Sequence, residues 1–155
     1  MSGARAVPCT IERCADPAHA GWLALRCEVW PHSGRDLHLA EMAAQCADPA
    51  RFVALVARTG EGAVGLAEAS VRHDYVNGTD TSPVAFLEGL YVAPAARRAG
   101  VARALVAAVA QWGRAAGCTE LASDAAAGNT ASHAAHGALG FAETERVVYF
   151  RRALR

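Results

Sequence analysis

Residues 86–105, Phe86-Leu87-Glu88-Gly89-Leu90-Tyr91-Val92-Ala93-Pro94-Ala95-Ala96-Arg97-Arg98-Ala99-Gly100-Val101-Ala102-Arg103-Ala104-Leu105, limit the fold more than any other part of the chain. An apolar run holding one carboxylate, Glu88, passes through a short basic turn with glycine. It then enters a segment whose apolar residues fall at 101, 102, 105, 106 and 109, the period of a helix. A strand feeding a helix in this way also aims unpaired backbone N–H groups, and the positive end of the helix macrodipole, at the turn. Such a terminus receives phosphate. Residues 97–102 fit Arg/Gln-x-x-Gly-x-Gly/Ala, and Gly100 and Ala102 leave the backbone open to a diphosphate. The hexamer alone is a weak signal, but its place between a strand and an amphipathic helix makes it a strong one. The bland alternative is a glycine that opens a helix by chance. The Gly-x-Gly-x-x-Gly of a dinucleotide fold and the terminal Gly-Lys-Ser/Thr of a triphosphate loop are both missing.

Patterning along the rest of the chain predicts one mixed α/β domain spanning 1–155, in the order β-α-α-β-β-β-α-β-α-β. Residues 9–14 form a first strand. Asp16-Pro17 supplies an N-cap and first helical residue, with Trp22, Leu23, Cys27 and Trp30 at helical spacing up to Pro31. Asp36 caps a second helix over 37–46. A hairpin with a glycine turn joins 51–59 to 63–73, a polar loop covers 74–83, and 84–92 is an apolar strand. Helices are expected over 100–117 and 129–139, the latter closed by Gly140, with strands over 119–123 and 144–151.

Composition removes several function classes. With 53% apolar and 19% charged residues the chain is not disordered, and its formal net charge of +0 gives no general pull toward nucleic acid or an anionic membrane. No run reaches the ~18 apolar residues of a membrane span. Met1–Pro8 lacks the apolar centre of a secretory leader. Five scattered cysteines, Cys9, Cys14, Cys27, Cys46 and Cys118, show no metal-ligand spacing and no disulfide framework. Buried thiols in a reducing cytoplasm are expected, with no metal site.

Glu88 is the residue with most chemical content. A carboxylate enclosed by apolar neighbours costs several kcal/mol unless partnered. It is either ion-paired inside the fold, for example with an arginine, or open to a cationic amine. Gly89 beside it suits a bulge or a close backbone approach. Asp124 and Glu145, at the ends of short strands, are ordinary solvated loop acids when taken singly. Together with Glu88 they would line a cleft for a polycation. Tyr75 beside Asn77-Gly78 reads as a loop aromatic, and Trp30 at a helix end as core or as a surface for stacking on a sugar ring.

The turn at 97–102, with 129–136 (Asn129-Thr130-Ala131-Ser132-His133-Ala134-Ala135-His136) and Gly140-Phe141 behind it, resembles the GNAT superfamily of N-acetyltransferases. Five further segments, with Trp30-Pro31, narrow the resemblance to the aminoglycoside 6'-N-acetyltransferases: Ser70-Val71-Arg72-His73-Asp74-Tyr75-Val76-Asn77-Gly78, Phe86-Leu87-Glu88-Gly89, Ala122-Ser123-Asp124, Asn129-Thr130 and Glu143-Thr144-Glu145-Arg146-Val147. It covers nearly the whole chain after residue ~20. The resemblance implies a GNAT fold, a mixed and mostly antiparallel sheet flanked by helices, and a homodimer. It implies coenzyme A contacts from Leu90, Tyr91 and Val92, from Arg98, Ala99, Gly100, Val101, Ala102 and Arg103, and from Asn129. Substrate contacts would come from Trp30, Tyr75, Glu88, Asp124 and Glu145. After Trp30-Pro31 this chain has His32-Ser33 where relatives carry Gly-His, so the His32 imidazole comes one position early. His136 stands where many members place a tyrosine that protonates the departing thiolate, and Tyr149 is a second candidate for that acid.

The resemblance implies acetyl transfer from acetyl-CoA to the 6'-amine of an aminoglycoside in one ternary complex, conferring resistance. Such amines are largely protonated at neutral pH, so Glu88 would hold the ammonium and take its proton, directly or through water. Backbone N–H groups near Leu90 would polarise the thioester carbonyl. No cysteine lies in a recognisable Cys-His arrangement for an acetyl-enzyme. Two rivals stand beside this reading: an acetyltransferase for another cationic amine, such as a polyamine or a protein amine, and a silent module that binds acyl-CoA or aminoglycoside.

Overall fold

The computed structural model describes residues 8–155, so the start of the stretch read above for a leader lies outside the described residues. Five strands, β1 (Thr10–Arg13), β2 (Phe52–Thr59), β3 (Gly62–Arg72), β4 (Val84–Val92) and β5 (Leu121–Ser123), form one sheet in the order β1-β2-β3-β4-β5. The first four run antiparallel, and β5 joins β4 in parallel. The short β2–β3 turn allows antiparallel pairing, whereas the return to β5 needs the crossover helix α3 (Val101–Ala115).

Alternation along β2 sorts its side chains onto two faces. Val53, Leu55 and Ala57 pack with Ala67, Ala69 and Leu87 under Val101, Leu105 and Val109 of α3. Ala54, Val56 and Leu66 face the other way. There they meet Trp22 and Leu25 of α1 (Trp22–Val29) and Met42 of α2 (Arg35–Ala47). The last helix, α4 (Thr130–Ala138), follows β5 and contains no buried residue.

Three expectations need correcting. Asp16 caps a turn rather than a helix, its Oδ1 accepting from the Ala18 N–H at 2.7 Å, and α1 starts later, at Trp22. Likewise α2 starts at Arg35 after Gly34, leaving Asp36 inside the first turn, where its charge suits the helix dipole. Residues 144–151 form no strand. They pair with no strand of the sheet, and Val148, Tyr149 and Phe150 are 77%, 85% and 92% exposed.

Candidate active site

The site begins with a misfit in the β3–β4 ladder. Glu68 pairs with Gly89 but Ala69 pairs with Leu87, so Glu88 is an extra residue on β4. A bulge of this kind turns two neighbouring residues toward one face and bends the strand. Beyond it β4 parts from β5, whose pairing ends at Leu87–Ser123. Past that point the backbone polar groups of β4 on the β5 side have no strand partner. The gap is a cleft of about 370 Å³ lined by Leu87, Glu88, Gly89 and Leu90, by Ser123 and Asp124, and by residues of α4. Gly89 is required here because a Cβ would lie 2.7 Å from the Trp30 ring, which closes against the bulge.

Glu88 departs from the expectation of an unpartnered acid in hydrocarbon. Its side chain is 33% exposed, and Arg72 grips both oxygens, Nη2 standing 2.8 Å from Oε1 and 2.9 Å from Oε2. The Ser70 hydroxyl donates to Oε1 at 2.6 Å. Alternation along β4 presents Glu88 on the face that also carries Phe86, Ser70 and Arg72, and the guanidinium lies 3.6 Å over the Phe86 ring. Of the two readings of this acid, the ion pair with an arginine is the one realised. The open crevice is realised as well, since Glu88 lines the cleft and no basic side chain other than His136 does.

On the opposite wall His136 is fixed at both nitrogens. Its Nδ1 lies 2.7 Å from the Ser132 carbonyl and therefore carries a hydrogen, while Nε2 lies 2.9 Å from Ser123 Oγ. Ser123 Oγ is also 3.3 Å from the Leu87 carbonyl. The serine hydroxyl can thus donate to a neutral imidazole. Turned toward Leu87, it can instead accept from an imidazolium. Phe141 packs edge-on against the ring at 5.3 Å, fixing its plane.

The basic turn has the geometry of an anion nest. Arg98 has φ of 62° and Gly100, the residue before α3, has φ of 84°. Left-handed residues next to a helix start turn successive N–H groups to one side. Arg98 bears this conformation without being glycine, a cost of order 1 kcal/mol. Arg97 is used structurally, its Nε donating to the Val92 carbonyl at 2.8 Å. Arg103 ties α3 to the end of α4 through the Ala138 carbonyl, 3.2 Å away. Asn129 caps α4 by accepting from the Ser132 N–H at 3.1 Å, and it also lines the cleft.

The cleft therefore gathers Glu88, Leu90, Asp124, Asn129 and His136. Trp30 borders it through Gly89, and a buried cluster holds that wall. The Arg26 guanidinium lies 4.7 Å over the Trp30 ring and is fixed by Glu68 at 2.9 Å, Glu41 at 2.6 Å and His38 Nδ1 at 2.7 Å. Tyr75 is 76% exposed on its loop, and Glu145 lies beside that loop against Gly78. His32 is exposed on the turn after α1. The exposed Tyr149 is not brought to the cleft. Sequence reasoning missed Ser70, Arg72 and Ser123. Ser123 stood beside Asp124, but Arg72 meets Glu88 only through a cross-strand register that the pattern of one strand does not carry.

Comparison with known proteins gives the family and the fold. The model of the acetyltransferase (GNAT) family matches residues 18–141. The chain is 53% identical over 131 residues to an aminoglycoside N(6')-acetyltransferase type 1 of Acinetobacter baumannii, covering 84% of this chain and 89% of that one. It is 50% identical over 145 residues to one from Stenotrophomonas maltophilia, covering 94% of each. Among solved structures it superposes on the aminoglycoside N-acetyltransferase AAC(6')-Iy in complex with CoA, with a TM-score of 0.90 at 43% identity over 97% and 98% of the two chains. The same enzyme in complex with the bisubstrate analogue CoA-S-monomethyl-acetylneamine gives 0.89 at 43% identity, covering 95% of this chain and 99% of that one. With the bulged strand, the anion nest and the acid-lined cleft in place, this chain belongs to the acetyltransferase (GNAT) family, among its type 1 aminoglycoside 6'-N-acetyltransferases.

Proposed function

We propose that this chain transfers the acetyl group of acetyl-CoA to the 6'-amine of aminoglycosides of the kanamycin and tobramycin type, in a ternary complex, and thereby confers resistance. The observation that carries the reading is a cleft opened between β4 and β5 with Glu88 and Asp124 in its wall, on the strand that runs on into the nest before α3. A 43% identical relative holds a CoA–neamine bisubstrate analogue on the same fold. The residues present fit coenzyme A. The N–H groups of Val101, Ala102 and Arg103 lie in the first turn of α3, and the backbone of Leu90, Tyr91 and Val92 lies past the last β4–β5 pair.

Acetyl-CoA supplies the activated acyl group as a thioester. The first turn of α3, with Arg98, Ala99 and Gly100, binds the diphosphate, and Asn129 lies at the far wall. The Leu90 N–H polarises the acyl carbonyl and meets the charge that develops there. Glu88 and Asp124 hold the cationic acceptor against the Trp30 ring. Tyr75, His32 and Glu145 frame its outer rings. Because Arg72 and Ser70 already take most of the acceptor sites of Glu88, its role is to anchor positive charge, and water completes removal of the amine proton. His136, through Nε2, delivers a proton toward the departing sulfur, with Ser123 between them. The exposed Tyr149 gives that duty no support.

The proposal extends to assembly and place. One N-acetyltransferase domain spans 1–155 and works as a homodimer. The exposed apolar side chains of Val148, Tyr149, Phe150 and Leu154 support this, as does the position of β5 at an open sheet edge. Among the described residues no helix is long and apolar enough to cross a membrane, and all five cysteines are free thiols. Free thiols and the supply of acetyl-CoA favour the cytoplasm.

A thiol-release assay tests the proposal with kanamycin, tobramycin and an aminoglycoside bearing a 6'-hydroxyl. Release with the two 6'-amines and none with the hydroxyl is expected. Equal release from a polyamine, or binding without release, would replace the reading with one of its rivals.

A further inference from the structure

We propose that Arg72 sets acceptor specificity by competing with the substrate's ammonium for the Glu88 carboxylate. The inference rests on the reading above that Glu88 anchors the cationic acceptor. Three observations carry it. First, Glu88 already spends most of its acceptor capacity inside the fold: Arg72 Nη2 meets both oxygens, Arg72 Nε is 3.2 Å from Oε1, and the Ser70 hydroxyl takes a further site on Oε1, so only Oε2 keeps room for a newcomer. Second, Arg72 comes from β3 and is absent from the cleft lining, so Glu88 faces an internal cation on one side and the cleft on the other. Third, the pair is accessible, its side chains being 41% and 33% exposed. Solvent weakens such pairs, so an incoming charge can displace the guanidinium. The guanidinium keeps a resting place on the Phe86 ring, 3.6 Å away, when it releases the carboxylate.

Displacement has a selective consequence. An acceptor with one ammonium exchanges one cation for another at Glu88 and gains little. A polycation brings further ammonium groups to Asp124 in the same cleft, so its net gain is large. Arg72 thus discriminates against singly charged amines, through competition inside the site rather than through shape.

The variant Arg72→Gln removes the charge and keeps most of the side-chain length. Steady-state acetylation is measured with neamine and with 6-amino-6-deoxyglucose, which carries one ammonium. The expected result is a fall in KM of at least threefold for the singly charged acceptor, narrowing its gap to neamine, with KM for acetyl-CoA unmoved. An unchanged or raised KM for that acceptor overturns the proposal and makes Arg72 a support for Glu88. Glu88→Gln separates this outcome from failure of the underlying reading. A raised neamine KM there keeps the anchor, whereas an unchanged one removes the anchor and this inference together. If Arg72→Gln does not fold, the wild-type enzyme decides through the 15N resonance of Arg72 Nε. A shift on saturation with neamine supports displacement, and a fixed resonance overturns it.

Discussion

His136 shows how much a single side chain owes to its immediate contacts. Its ring is held by the Ser132 carbonyl on one nitrogen and by Ser123 on the other, with Phe141 against its edge. Nδ1 is committed to its carbonyl, so in the proposed reaction a proton leaves the ring from Nε2, beside the Ser123 hydroxyl. The variant His136→Ala is expected to lower kcat by about 10²-fold, the lower end of general-acid effects, with KM for both substrates within about twofold. Steady-state kinetics at saturating acceptor checks this, and an undiminished kcat removes the histidine from acid duty. Ser123→Ala should reproduce part of the loss, because Nε2 then has no fixed partner in the cleft wall.

At the scale of elements, the bulge in β4 does most of the arranging. It turns Glu88 and Gly89 to one face, brings Trp30 against the strand and ends the β4–β5 ladder early. In Gly89→Ala a Cβ would stand 2.7 Å from the indole, so the ring or the strand has to move. The expected outcome is a rise of about tenfold or more in aminoglycoside KM, larger than any change in acetyl-CoA affinity, because the α3 turn is untouched. Isothermal titration with each ligand separates the two, and an unmoved aminoglycoside affinity would mean that Trp30 takes no part in the acceptor wall. The strand at 84–92 and the helix at 101–115 were legible from their own apolar periods, and so was the glycine turn between them. The Arg72–Glu88 pair was not, because it depends on which residue of β3 faces which residue of β4. Asp16 misled for a related reason: an aspartate before proline caps a turn as readily as a helix, and only later packing decides. The tail at 144–151 alternates like a strand yet lies unpaired, since alternation describes a segment's own faces and not the presence of a neighbour.

For the whole molecule, all 15 basic residues are arginine, so no lysine titrates as pH rises above 9. That clears a window for the buried thiols. Burial pushes the Cys14 thiol up from 9.0 to about 12, and Cys46 and Cys118 move in the same direction for the same reason. A folded-state value above the unfolded one means the neutral thiol contributes its full stability below pH 9. The contribution then drains away as pH climbs from 9.0 toward about 12. Thermal melts between pH 8 and pH 11 should therefore fall more steeply for the wild type than for Cys14→Ala, and parallel curves would count against it.

The splayed end of the sheet has a thermodynamic corollary. The pairing of β5 with β4 spans only three positions, and α4 contributes nothing to the interior. That corner is held by few interactions beyond its own hydrogen bonds, the Asn129 cap and the Arg103 tie. Its amides should exchange with deuterium well before those of β2 and β3, whose side chains fill both cores. A ligand that bridges the two lips of the gap would slow exchange at residues 121–139 most of all. Substrate would then act as the missing stitch of this fold, with rigidity arriving at the corner where the proposed chemistry lies.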